Sequence, residues 1–160
     1  HGFFLEDIKT KDEEGLTTRN AKFNPLLRSG LLLAGAQNTM KNEDLPGEED
    51  GILTAYEVMN LNLDNTELVV MSACETGLGE VKNGEGVYGL QRSFLVAGAD
   101  NLVMSLWKVN DQTTQMLMTG FYKNWFGGAS KIDAFNAAIA EVRKEFKEPY
   151  YWGAFVMLGK

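Results

Sequence analysis

The sequence is poor in residues that staple or ligate. It holds one cysteine and one histidine in 160 residues. One cysteine cannot close an internal disulfide, which excludes a disulfide-framed secreted scaffold. One histidine and one cysteine cannot supply the four ligands of a structural zinc site. This leaves only a carboxylate-built Mg²⁺ or Ca²⁺ site open among metal centres, and no cofactor is expected. Positive charge is in the minority: Lys and Arg number 15 against 22 Asp and Glu, for a net charge of −7. That balance argues against binding nucleic acid or an anionic membrane through bulk electrostatics. No apolar run approaches the roughly 18 residues of a membrane span. The opening residues do not read as a secretory signal.

What is present is the composition of an ordinary globular protein: 44% apolar, 23% charged and 11% aromatic residues. A chain of this size buries about 68–70% of its unfolded surface, enough for one core. The expectation is a single soluble domain over residues 1–160, in the cytoplasm.

Four short apolar runs read as buried strands: Leu31–Ala34, Leu68–Ser72, Leu102–Leu106 and Phe155–Leu158. Each is nearly continuous rather than alternating, the pattern of strands covered on both faces. Helical patterns separate them. Thr54 and Glu57 form a capping box opening Ala55–Asn60. Val87, Leu90, Phe94 and Leu95 keep helical spacing over Val87–Ala97. Met118, Phe121, Tyr122 and Trp125 do so over Gln112–Phe126. Ser130 and Asp133 cap a last helix with Ile132, Phe135, Ile139, Val142 and Phe146 on one stripe. This alternation predicts an α/β sandwich with a mainly parallel sheet. The charged stretches Glu6–Asn20 and Asn38–Asp50 read as surface loops. The chain opens abruptly at His1-Gly2-Phe3-Phe4, and four strands make a small sheet. The expectation is a C-terminal portion of a domain whose N-terminal strands lie upstream, a gap that a swapped or edge-paired homodimer would fill.

Cys74 follows the strand-like Glu67–Ala73 and precedes Glu75-Thr76-Gly77-Leu78-Gly79. Ligands of open α/β sheets bind at the carboxyl ends of strands. A thiol there, beside a loop whose glycines let backbone approach closely, suits a nucleophile. It equally suits a small buried hydrophobe. His1 is the only imidazole available to carry its proton. A first-residue histidine is otherwise an affinity-tag remnant. Ser105–Asp111 leaves a strand and enters a helix, with Asn110 or Asp111 as N-cap. Trp107 and Asp111 are either the wall of the same crevice or simply core and cap. The Gly77–Gly89 stretch holds five of the 17 glycines. It matches neither nucleotide-binding fingerprint, and Glu80 and Glu85 would repel a phosphate.

Several segments together resemble the CHAT domain, a caspase-related family usually attached to tetratricopeptide repeats. They are His1-Gly2-Phe3-Phe4, Arg28–Ala36, Gly51–Ala55, Ser72–Gly79, Gly84–Val87, Gly89-Leu90, Ala97-Gly98-Ala99, and Ser105-Leu106-Trp107 with Val109 and Asp111. The resemblance implies a caspase–haemoglobinase fold, a three-layer α/β/α sandwich. It implies a clan CD cysteine endopeptidase whose Cys/His dyad falls on Cys74 and His1. It makes the backbone N–H of Gly2 the oxyanion donor, with that of Cys74. It points to Ser105, Trp107 and Asp111 as substrate-binding residues, with a basic P1 residue suited to Asp111. The partners implied are a protein or peptide substrate and tetratricopeptide repeats in the parent chain. Two alternatives are a non-catalytic CHAT scaffold or regulatory interaction module, and a crevice that binds a small effector.

Overall fold

The computed structural model describes residues 2–4, 9–11, 17–19, 24–41, 50–72 and 85–159. The first half holds β1 (Gly2–Phe4), β2 (Lys9–Lys11), β3 (Thr17–Arg19), β4 (Ser29–Leu32), α1 (Ala36–Met40), β5 (Ile52–Thr54) and α2 (Ala55–Val58). Then come β6 (Val69–Met71), α3 (Glu85–Val96), β7 (Asn101–Ser105), α4 (Asp111–Phe126), α5 (Lys131–Glu145), α6 (Pro149–Trp152) and β8 (Phe155–Gly159). The architecture is mixed α/β.

The sheet β6–β7–β8 organises the second half. Side chains alternate along a strand, so neighbouring residues of β7 feed two different cores. Val103 packs with Phe155 and with Leu117, Phe121, Phe135 and Val142 of α4 and α5. Leu102 and Met104 pack with Met71 and with Leu90 and Phe94 of α3 and Val58 of α2. Burial on both faces explains why these strands are apolar without alternation. Each such side chain contributes about 1.5–3 kcal/mol on leaving water.

Strand direction departs from expectation. Among the described residues β6–β7 is the parallel pair. β7–β8, β1–β4, β4–β5 and β2–β3 are antiparallel. The sheet is therefore mixed, not mainly parallel. Helix parity is the physical reason. One long helix, α3, returns the chain from β6 to the start of β7. Two long helices, α4 and α5, form a hairpin after β7, so the chain enters β8 from the opposite end.

The stretch Glu6–Asn20, expected as a loop, contains the β2–β3 hairpin, with Thr10 opposite Thr18. Its threonines favour strands despite the flanking charge. In the second stretch, Asn38–Met40 belong to α1, and residues 42–49 lie outside the described ones. Gly77–Gly89 is helical from Glu85 onward. The helix expected over Ala55–Asn60 stops at Val58. Ile132 stands 52% exposed, one turn ahead of Phe135, where its stripe meets the core.

Two glycines of the expected motifs are dictated by space. A Cβ on Gly30 would collide with the Leu53 carbonyl and the Phe3 ring across the neighbouring strands. Gly98 has φ 111° and faces Asp64 at close range. That left-handed backbone is one that side chains rarely adopt.

Candidate functional site

Parallel pairing sets Met71 of β6 beside Met104 of β7. Ser72 and Ser105 therefore lie at the same end of the sheet. Ser72 continues into Ala73 and Cys74, and Cys74, like His1, lies outside the described residues. Gly2 is described: it is buried in β1, opposite Leu31 of β4. Leu31 packs against the cluster that holds Met71 and Met104. β1, next to His1, thus pairs with a strand, β4, that packs against the same core as β6, the strand leading to Cys74.

The β7–α4 connection is built from short-range rules. Ser105 is 1% exposed and sits opposite Phe155 in the ladder. Leu106 then donates its N–H to the Ala154 carbonyl at 2.7 Å. Val109 tucks against the α4–α5 core. Asn110 is the N-cap: its side-chain oxygen accepts from the Thr113 N–H at 3.1 Å. Of the two expected caps, Asn110 takes the role, which leaves Asp111 exposed at the first helical position. A carboxylate is favoured there by the helix dipole. Ser105, Trp107 and Asp111 thus share one turn at the end of the sheet reached by Ser72.

Trp107 is half-buried and held from outside its own turn. Its indole Nε1–H donates to the Tyr150 carbonyl at 3.1 Å. The Tyr150 hydroxyl donates back to the Lys108 carbonyl at 2.8 Å. The two rings stack, with centroids 6.4 Å apart and planes at 22°. A Cβ on Gly153 would stand 3.7 Å from the tip of the Trp107 ring and 2.9 Å from the Pro149 carbonyl. Spacing along the chain does not place Tyr150 at this turn. The aromatic run Tyr150-Tyr151-Trp152 was a visible signal, but nothing in its spacing assigns it to Trp107.

Residues 1–160 match the CHAT domain family, a caspase-like family. The chain belongs to it. The CHAT domain is also 32% identical over 118 residues to human tetratricopeptide repeat protein 28, covering 72% of this chain and 5% of that protein. The mouse tetratricopeptide repeat protein 28 is 30% identical over 118 residues, with the same coverage. The CHAT domain sequence therefore spans about 5% of the length of the curated relatives it matches. The motifs quoted above, from His1-Gly2 to Ser105-Leu106-Trp107, all fall inside the matched family span.

Proposed function

We propose that this CHAT domain is a caspase-like cysteine endopeptidase with Cys74 as nucleophile and His1 as proton carrier. Cys74 Sγ attacks the scissile carbonyl. The backbone N–H groups of Gly2 and Cys74 take the developing oxyanion, each worth about 2.7–4 kcal/mol by analogy with other proteases. His1 takes the proton of the attacking thiol and passes it to the departing amine; it then accepts a proton from the water that hydrolyses the acyl-enzyme and returns it to the Cys74 sulfur. Ser105, Trp107 and Asp111 form the substrate wall, and the exposed Asp111 carboxylate suits a basic P1 residue.

The observation that carries this reading is the β6–β7 register. It brings the strand leading to Cys74 and the strand leading to Trp107 out at one end of the sheet. Strand carboxyl ends are where α/β sheets place their ligands. Helices against both faces of β6–β7–β8 support the three-layer sandwich of the caspase–haemoglobinase fold. The domain spans residues 1–160, acts in the cytoplasm and, like the relatives named for them, is joined to tetratricopeptide repeats.

The test compares the full-length protein with its Cys74→Ala variant on a peptide library. Cleavage by the wild type, lost by a factor of at least ~10³ in the variant, is the expected result. Equal behaviour of the two sinks the peptidase reading and favours a non-catalytic interaction module. The P1 profile reads Asp111 separately. Arg or Lys is expected, and a wild type with no such preference rejects that role.

A further inference from the structure

We infer that Tyr150 is a positioning residue: it clamps Trp107 and the strand-end turn in the pose that meets substrate. This inference rests on the peptidase reading for its substrate, though not for the clamp itself. The clamp is reciprocal. Trp107 donates from its indole into the α6 backbone, and Tyr150 donates from its hydroxyl into the turn backbone at Lys108. The two bonds bridge 43 and 42 residues of sequence. The stacked rings lie within the range of favourable aromatic pairs.

The base of the clamp is itself held. The Arg143 guanidinium sits 4.9 Å from the Trp152 ring centre. The Phe146 and Tyr151 rings meet at 5.3 Å. The two contacts tie α6 to the last turn of α5 and to its C-cap Phe146, and Val142 in that turn is fully buried. Tyr150, by contrast, is 49% exposed. Its bond goes to the carbonyl of Lys108, three residues before Asp111. The turn that presents Trp107 and Asp111 is thus secured by α6 as well as by its own cap.

The test uses the full-length protein and three forms: wild type, Tyr150→Phe and, as a control on the same short helix, Tyr151→Phe. Tyr150→Phe keeps the ring stack and removes only the hydroxyl. Amide hydrogen exchange over Leu106–Asp111 is expected to quicken roughly tenfold in Tyr150→Phe, with β7 and α5 unchanged. Tyr151→Phe is expected to leave the turn unchanged. The second readout is a panel of peptidyl-aminomethylcoumarins with Arg, Lys, Asp or Leu at P1. For the cleaved member, KM is expected to rise about three- to tenfold with kcat kept, the loss of one hydrogen bond that steadies the binding wall. Unchanged exchange overturns the clamp. Faster exchange with KM unmoved overturns its positioning role. Faster exchange in a protein that cleaves no member of the panel supports the clamp, and the peptidase reading then stands or falls on the Cys74→Ala comparison over the peptide library.

Discussion

Phe121 shows how much a single side chain carries here. It is fully buried, with Tyr122, Trp125 and Phe135 ring centres at 5.1, 5.7 and 5.9 Å. Phe121→Ala is expected to cost about 3–5 kcal/mol, because the ring leaves a cavity that α4 and α5 cannot close. Denaturant unfolding measures it, as a lower midpoint at unchanged slope. Phe126 lies in the same aromatic row but is 77% exposed. Its alanine variant is expected to lose no more than about 1 kcal/mol. Helical spacing alone groups Phe121 with Tyr122 and Trp125. It does not say that Phe121 sits at the centre, because that depends on Val103 and Phe155 arriving from the sheet. The residues of the proposed site divide in the same way. Ser105, Trp107 and Asp111 could be grouped from sequence because seven consecutive positions hold them. Tyr150 could not, because its contact with Trp107 is tertiary.

At the scale of elements, helix starts were the most legible features. Thr54 accepts from the Glu57 N–H at 3.3 Å while Glu57 accepts from the Thr54 N–H at 2.8 Å, the reciprocal box that the spacing predicts. Ser130 accepts from the Asp133 N–H at 3.2 Å. Asn110 accepts from Thr113, as above. All three caps join residues three apart, so sequence contains both partners. Asn110→Ala is expected to cost about 1 kcal/mol. In a chain of this size that lowers Tm by roughly 2–4 °C, measured by thermal unfolding. Asn110→Asp, which keeps the acceptor, is expected to stay close to wild type. Gly98→Ala is expected to destabilise by about 1–3 kcal/mol, because it forces a side chain into a left-handed backbone against Asp64. Sequence periodicity does not reveal the β2–β3 hairpin. Its strands are three residues each, too short for periodicity to stand out from charge.

At the scale of the molecule, β7 is the axis. It pairs with β6 on one side and β8 on the other, and Leu102, Val103 and Met104 are fully buried between two cores. Its amides are expected to exchange most slowly among the described residues, at the rate of global unfolding. α1, in which only Ala36 is buried, is expected to exchange among the fastest. Hydrogen exchange resolved by segment checks both, and a β7 that exchanges as readily as α1 refutes the assignment. The chain itself makes legible the apolar runs that become β6, β7, β8 and part of β4, the long helices α3, α4 and α5, the caps of α2, α4 and α5, and the family its motifs belong to. These rest on spacings of two to four residues and on side chains that cannot be replaced at a tight turn or a close approach. Tertiary packing alone sets the antiparallel run of β8 against β7, the folding of a charged stretch into a hairpin and the hold of Tyr150 on Trp107. Those outcomes depend on where whole elements return in space, and a pairing across 42 residues leaves no local period in the chain.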